Sequence, residues 1–570
     1  MDGFEQRALS LPVARGAFHN LAVSDDGKLV YVRGGARGTG GGPAIKLFDV
    51  KDEKKKEETV LDGVGGFDMS ADGKKLLVRT GNRFAIVEPK PGQKMDETLP
   101  TDGLAVLIDP RQEWRQLFLE AWRLQRDFFY VPNMHGVDWP AMRDHYIKML
   151  DDCVSRADVG YVIRELISEL NIGHAYYFGR DGGDEKTVAT GLLEAEFELH
   201  DGAYRIQRIL RGAAWDFDAR GPLSRPGLYV REGDYLLAIN GVPLDTTKDP
   251  WAAFQGYKPG TVVTLTVSDK PVLEKKAAAE ATPAEASQPA AEEKSDTATG
   301  PEGTAETKGS DDKKDEKAEE KDPYAGQRDV LVELIDGGRF AELRYRDWVE
   351  RKRAHAERAS GGRVGYIHVP DTGVNGQNEL FRQFYGQRHK PALIIDDRWN
   401  GGGQIPNRFI ELLNRPVTNY WHRRHGRDGV EPEDAHHGPK CMLINGQAGS
   451  GGDAFPFYFR QAGLGPLIGT RTWGGLVGIS GNPQLIDGTT VTVPTFGFYK
   501  KDGTWGVEGH GVDPDIEVID DPARMLNGGD PQLDKAIEVM LAELERNPYV
   551  PPPTPAPPDR SGMGVPPKDR

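Results

Sequence analysis

Apolar and polar positions alternate along the first hundred residues and then change period several times. "AVSDDGKLVYVRGG" and "DMSADGKKLLVRTG" each place a Ser-x-Asp-Gly-Lys turn before a strand of period-two apolar residues. Their glycines, Gly27 and Gly73, stand 46 positions apart. Residues 111–170 switch to helical spacing. "QEWRQLFLEAWRLQRDFFY" puts Trp114, Phe118, Trp122 and Leu124 on one stripe that reads as core, and "RADVGYVIRELISEL" predicts a second amphipathic helix. That helix runs out at "NIGHAYYFG", where Asn171 and Gly173 break it and aromatic residues begin a strand. Short strands follow over 187–270 ("LLEAEFEL", "AYRIQRIL", "REGDYLLAINGVPL", "TVVTLTVSD"). From about 363, strands such as "GRVGYIHVP", "KPALIIDDRWNGGG" and "KCMLING" alternate with helices such as "QNELFRQFYGQR" and "DAFPFYFRQAG". That alternation predicts an α/β sheet with its reactive loops at the carboxyl edge of the strands.

Composition divides the chain further. Between 271 and 323 there is no aromatic residue and almost no large aliphatic one, so the segment cannot bury enough apolar surface to order itself and is expected to be disordered. It interrupts the strand-rich unit, whose last strands resume at "RDVLVELIDG". It also holds 15 acids and 8 lysines in 271–322, so −7 of the net −16 sits there. The remaining charge is dilute and argues against nucleic-acid binding. No run of 18 apolar residues spans a membrane. No leader follows Met1, which predicts a cytoplasmic chain; a natural start further upstream would leave the periplasm open. Cys153 and Cys441 show neither metal spacing nor a disulfide framework and read as buried thiols. The repeat of 40–50 residues with short strands suggests β-propeller blades, but two copies cannot close a propeller, so the chain is read as starting inside one.

At 570 residues about three to five domains are expected. The reading is multidomain α+β: partial propeller blades over 1–100, a helical segment over 108–186, a small β domain over 187–345 carrying the insert 271–323, an α/β domain over 346–548, and a disordered proline-rich tail over 549–570. Gly233–Gly241 ("GDYLLAING") resembles the core strand and turn of a PDZ domain, a module that captures extended peptide ends by strand addition.

The chemistry centres on "NGQAGSGGDAFPF", residues 445–457. Ser450 follows a strand and precedes a helix, among glycines that let the backbone bend, so its hydroxyl is displayed at a tight turn. The amide of Gly451 at the helix start would face an oxyanion, and the helix dipole has the right sign. The "NGGG" loop at 400–403, ending another buried strand, can supply a second amide. Alone, a serine among glycines is a weak signal that more often marks one more small residue in a loop.

The two glycine-rich strand ends together are more specific. "IIDDRWNGGG" resembles the Asp-x-Arg-x-Asn-x-Gly-Gly element of S41-type serine peptidases through Asp396, Arg398, Asn400, Gly402 and Gly403. The order of segments, with "GLGPLIGTRTWGG" and "GVDPDIEV", resembles the C-terminal half of the tricorn protease family. Tail-specific members of that superfamily use a Ser–Lys dyad, yet Gly475 stands where their lysine would. A serine needs a base within hydrogen-bond reach, and without lysine histidine is the default.

The resemblance to the tricorn pattern implies His174 in "NIGHAYY" as that base and Glu508 in "VEGHGVDPD" as the carboxylate behind it. It implies Ser450 as nucleophile and the Gly402 and Gly451 amides as oxyanion donors. Gly173 replaces a family serine, which removes a hydroxyl that helps orient the relay. Gly451 replaces an aspartate at little cost, because its amide is the functional part. Where the founding member has an acid that favours basic substrate side chains, Trp421 stands, so that preference is not carried over. His510, two residues from Glu508, is the rival base. "HRRH" (422–425) and "HH" (436–437), without acid or cysteine partners, read as a solvated basic loop and not as a metal site. The implied function is a cofactor-free, metal-free serine endopeptidase or oligopeptide hydrolase acting on short or unfolded peptides as a homo-oligomer, a hexamer by family resemblance. The alternatives are a non-catalytic PDZ-type peptide-binding scaffold with a decayed site, and a carrier of hydrophobic small molecules.

Overall fold

The computed structural model describes residues 11–13, 16–34, 42–53, 56–101, 103–179, 189–212, 220–273, 324–561, 564 and 568. The insert expected at 271–323 therefore lies, from 274 on, outside the described residues. Two units are described separately, Met1–Glu113 and Trp114–Arg570.

In the first unit, β1 (Ala17–Val23), β2 (Leu29–Gly34), β3 (Ala44–Phe48) and β4 (Glu57–Asp62) form a four-stranded antiparallel meander. β5 (Phe67–Met69), β6 (Leu76–Thr80) and β7 (Arg83–Val87) form a three-stranded one. These are the partial propeller blades. The repeated turn is chemically the same in both: Gly27 N–H donates to Ser24 O (2.9 Å) and Gly73 N–H to Ser70 O (2.8 Å). Both glycines have positive φ (+81° and +71°), which is why the turn ends in glycine. Alternate residues Val30, Val32, Ile45, Leu47, Leu76 and Val78 make one core.

The second unit begins within α1 (Pro110–Phe128), from Trp114 on, and continues with α2 (Trp139–Tyr146) and α3 (Arg156–Ser168). Phe118 and Trp122 of the predicted stripe are buried against Ile163 and Leu166 of the third helix's apolar face. A capping box at Ser155 and Asp158 starts α3, and Asn171 (φ +43°) turns the chain out after its end. The chain then enters β8 (Tyr177–Phe178).

The next sheet contains β9 (Ala195–His200), β10 (Ala203–Ile209), β11 (Tyr235–Ile239), β12 (Val242–Pro243), β13 (Val262–Ser268) and β14 (Arg328–Glu333), in the order β14-β13-β11-β10-β9 with β12 beside β11. β13 and β14 flank the undescribed segment and pair without a register break from Val262↔Glu333 to Val267↔Arg328. This is the PDZ-like domain. It leads into α4 (Gly337–Ala359), a long helix outside the sequence-based expectation, which is capped by Asp336 and laced by pairs such as Arg353–Glu350 and Arg351–Asp347.

The α/β part follows as β15 (Val364–His368), α5 (Val374–Gln387), β16 (Ala392–Asp396), α6 (Pro406–Leu413), β17 (Asn419–Trp421), β18 (Gly429–Glu431), β19 (Lys440–Ile444), α7 (Gly451–Gln461), β20 (Leu467–Gly469), β21 (Gly478–Ser480), β22 (Thr490–Val491), β23 (Val493–Phe496), β24 (Ile516–Glu517), α8 (Pro522–Met525) and α9 (Pro531–Arg546). Strands β15-β16-β19-β20-β24 form a five-stranded parallel sheet, buried on both faces as its continuous apolar strands require. β22 pairs with β8, so the segment that precedes β8 is held to the α/β part. Residues 549–561 contain no helix or strand; Tyr549 and Thr554 bond Tyr420 and Asp428 of the β17–β18 hairpin.

At the carboxyl end of β16, Arg398 is fully buried. It chelates Asp396 (Nε–Oδ1 2.9 Å, Nη2–Oδ2 2.7 Å) and Asp530 (2.9 Å to each oxygen) and also donates to Gln532. Tyr366 donates to Asp396, and Lys352 pairs with Asp530, which caps α9 through Leu533 N. Two motif residues therefore anchor the last helix to the central sheet. Removing the guanidinium leaves two buried carboxylates facing each other, so Arg398→Leu is expected to cost about 3–5 kcal/mol. Urea denaturation of the variant against wild type measures it, and a loss under 1 kcal/mol would show that the ion network does not anchor α9.

Candidate active site

Four chain segments converge beyond the carboxyl edge of the sheet: 171–178, 398–403, 445–453 and 472–477, with Glu508 from a fifth. Each follows from local sequence. β19 ends in "NGQAGS", where Ala448 N–H returns to Asn445 O (3.0 Å) and the chain turns before α7 begins at Gly451. Ser450 occupies that turn with φ +58° and ψ −118°, a region a serine holds only when its surroundings impose it.

What imposes it is Asp453, a residue the sequence reading left unassigned. Its carboxylate is fully buried. It accepts from Ser450 N–H (2.8 Å), Gly474 N–H (2.8 Å), Gly475 N–H (3.1 Å) and the Thr472 hydroxyl (2.5 Å). Burial pushes its carboxyl above the usual carboxylate range, and these four donors pull the other way. The only sequence signal was its place as a charged residue in the first turn of an otherwise apolar helix.

The "NGGG" loop is held by Asn400, which is also buried. Its side-chain nitrogen donates to Val369 O (3.0 Å) and Asp397 Oδ1 (2.9 Å), and its carbonyl receives Gly449 N–H (3.1 Å). Burial, with the charges of Asp396 and Asp453 beside it, pushes the Asp397 carboxyl well above the usual carboxylate range. Asn400 Oδ1 accepts the Gly402 N–H at 2.8 Å. The Gly402 amide expected as an oxyanion donor is thus engaged within its own loop. The Gly451 amide has no partner among the described residues. Gly402 (φ +84°) must lack a side chain: its Cβ would stand 2.6 Å from the Cβ of Ser450. Position 451 is equally closed, since a Cβ there would lie 1.9 Å from Thr372 Oγ1 and 2.6 Å from Gly403 O. That is the local reason this chain has no side chain after the serine.

His174 is half-buried, with φ +60°. Its backbone carbonyl accepts from Thr492 Oγ1, and its ring lies edge-on to Trp473 (centroids 5.6 Å) and Tyr176 (6.2 Å). Its Nδ1 is buried without a hydrogen-bond partner. Burial lowers its pKa, and the charge of Glu508 opposes that shift. Glu508 is fixed by three backbone amides: Gly173 N–H on Oε1 (2.8 Å), Leu476 N–H (2.6 Å) and Val477 N–H (2.8 Å) on Oε2. It therefore grips the residue just before His174 and the loop just after Gly475. No hydrogen bond among the described residues joins Ser450 to the His174 ring or that ring to Glu508.

The rival base faces elsewhere. His510 is exposed and its Nε2 bonds Asp513 Oδ2 at 2.7 Å. In the "HRRH" loop His422 does have an acidic partner, Asp428 at 2.8 Å, which corrects the expectation of none. No group of three or more metal-type ligands occurs among the described residues.

This architecture, a parallel sheet with a strained serine between β19 and α7 behind a PDZ-like domain, is that of an S41-type peptidase. Residues 363–518 match the family model for peptidase family S41, residues 110–168 the tricorn protease C1 domain and residues 191–280 the tricorn protease PDZ domain. Tricorn protease homolog 1 of Streptomyces coelicolor is 32% identical over 97% of this chain and 48% of its own length. The tricorn protease of Thermoplasma volcanium is 30% identical over 94% and 47%. A crystal structure of the tricorn protease superimposes with a TM-score of 0.75 at 27% identity, covering 94% of this chain and 47% of that one. The chain belongs to the tricorn-type S41 peptidase family, and it spans about half the length of the curated relatives it matches.

The closed space at Gly451 gives a direct test. Gly451→Ala should destabilise by about 1–3 kcal/mol through overpacking. Part of that loss should be recovered in a Thr372→Ala background, because the nearest clash is with a hydroxyl that has no partner. Strictly additive denaturation energies in the double variant would show that Thr372 does not close this position.

Proposed function

We propose that the chain is a serine peptidase in which Ser450 Oγ attacks the peptide carbonyl and His174 takes its proton and returns it to the leaving amine. The observation that carries this reading is the strained Ser450 turn, braced by Asp453, with an unpartnered Gly451 amide at the start of a helix. Strain at a backbone position that the surroundings over-determine is typical of catalytic sites. The Gly451 amide stabilises the developing oxyanion from the positive end of α7. The Gly402 amide joins it only by leaving Asn400 Oδ1, an exchange that a charged oxyanion favours over a neutral amide oxygen.

Nε2 of His174 serves as the base, since Nδ1 is the buried nitrogen. Glu508 supports the imidazolium by charge and through the Gly173 backbone, so it acts as a positioning and electrostatic group. His510, committed to Asp513 at the surface, is left out. The substrates are short or unfolded peptides, and the assembly is a homo-oligomer, a hexamer on the family resemblance.

Burial disfavours the imidazolium, so neutral His174 persists to lower pH than a free histidine, whose pKa is about 6.5. The acidic limb of kcat/KM is therefore expected below that value, and in Glu508→Gln, which lacks the opposing charge, lower still. Ser450→Ala and His174→Ala should each lose roughly 10⁴-fold or more in turnover, and Glu508→Gln about 10²–10⁴-fold. His510→Ala should stay within about threefold of wild type. Peptide turnover of the four variants against pH, with fluorophosphonate labelling read by mass spectrometry, decides the matter. Labelling at another residue, or a collapse in His510→Ala with His174→Ala unaffected, would overturn these roles.

A further inference from the structure

A cavity of about 380 Å³ opens against Glu508. Tyr130, Phe498 and Trp505 form its walls, with His135 and Asn171 among the other lining residues. Tyr130 and Trp505 meet at 86° with centroids 5.6 Å apart, so two aromatic surfaces make a corner. The indole is 61% exposed, a large apolar group left open beside a carboxylate.

The charges are one-sided. Glu508 receives three backbone N–H groups, which hold its orientation and carry no formal charge to offset a carboxylate. No ion pair reaches Glu508 among the described residues. Two polar groups of the wall are engaged with each other and the backbone: the Tyr130 hydroxyl bonds His135 Nε2 (2.7 Å), and His135 Nδ1 bonds Leu170 O (2.9 Å). An anion and aromatic faces share one preference, a cation.

We propose that this pocket takes a small organic cation, an ammonium or guanidinium on an apolar stem, with its charge against Glu508 and its stem between Tyr130, Phe498 and Trp505. The chain's own nearby cation, Lys500, lies over Gly506 and pairs with no acid among the described residues, so it is the internal competitor. On the proposed relay, an occupying cation competes with the His174 imidazolium for one carboxylate. Occupancy then slows turnover and moves the acidic limb to lower pH. Two sources carry this chemistry, a lysine or arginine side chain of a bound peptide and a free amine.

The test is a titration of the full chain with n-butylammonium, followed by ligand-observed NMR, with 1-butanol as the uncharged counterpart. Butylammonium should bind and butanol much more weakly. Affinity should fall about five- to thirtyfold in Trp505→Ala and further in Glu508→Gln, hold in Tyr130→Phe, which keeps the ring, and rise in Lys500→Met. Melting curves of each variant separate lost binding from lost folding. Equal binding of butanol, or undiminished affinity in folded Glu508→Gln, would overturn the proposal. Displacement by a lysine-bearing peptide but not its norleucine analogue assigns the pocket to a substrate side chain, and absence of displacement assigns it to a free amine. Because binding is read without turnover, an inactive chain that binds butylammonium sinks only the peptidase reading, and an active one that does not bind sinks only this one.

Discussion

The buried carboxylate of Asp453 is the constraint on which the rest of the site depends. It binds the Ser450 backbone on one side and the 472–475 loop on the other, through Ser450 N–H, the Thr472 hydroxyl and the Gly474 and Gly475 amides. That loop continues directly into Leu476 and Val477, whose amides hold Glu508, and Glu508 in turn holds Gly173 beside His174. Ser450, His174 and Glu508 come from segments up to 334 residues apart in sequence, and one short loop sets their relative position. An anion inside the protein is costly, and each donor offsets part of that cost only while it points inward. Asp453 is therefore satisfied in one arrangement of the loop, which is what gives the site a single geometry.

Strain is distributed along the same path. Trp399, Ser450, His174 and Val507 all have φ between +58° and +65°. For a β-branched valine in that region the cost is larger than for most residues, about 1–3 kcal/mol. Each of these residues adjoins or is one of the candidate functional residues: Trp399 precedes Asn400, and Val507 precedes Glu508. The stabilising side of this balance lies beneath, in the Arg398 network and the two-faced core of the parallel sheet. The Asp-x-Arg-x-Asn element thus divides its labour. Asp396 and Arg398 secure α9, while Asn400 brackets the glycine loop against Gly449.

What was legible in the sequence was whatever repeats with a period or sits in a compact motif. The strand pattern, the Trp114–Trp122 stripe, the PDZ-like core strand and the strand–turn–helix around Ser450 are all local patterns and are all in the fold. α4 was not legible, because its buried apolar positions (Leu343, Val349, Ala356) are few and spread among charged residues that pair along the helix, and periodicity reads only apolar positions. Asp453 escaped for a different reason: a single aspartate near a helix start looks like any first-turn acid, and its four partners come from the turn before it and from residues 19–22 positions later. The occupied Gly402 amide was invisible too, since whether a backbone N–H is free depends on the rotamer of Asn400 two residues away.

The glycines at 449, 475 and 173 each have a steric reason. Trp473 packs its ring where a Cβ at Gly449 would come within 2.5 Å and where one at Gly475 would come within 2.2 Å. With tryptophan at 473, therefore, position 475 is closed to a lysine side chain. The same ring lies edge-on to His174, so the residue that excludes a lysine also forms a wall for the imidazole. Gly173 belongs to the set as well: a Cβ there would stand 3.0 Å from Gly475 Cα and 3.1 Å from Glu508 Oε1. A serine at 173 would have to shift that backbone by a few tenths of an ångström, so the expected benefit of restoring its hydroxyl is set against displacing the carboxylate it would assist. The missing lysine is thus a consequence of Trp473, whereas the missing hydroxyl follows from the close approach of Gly475 and of the Glu508 carboxylate, which already holds the Gly173 backbone through its N–H.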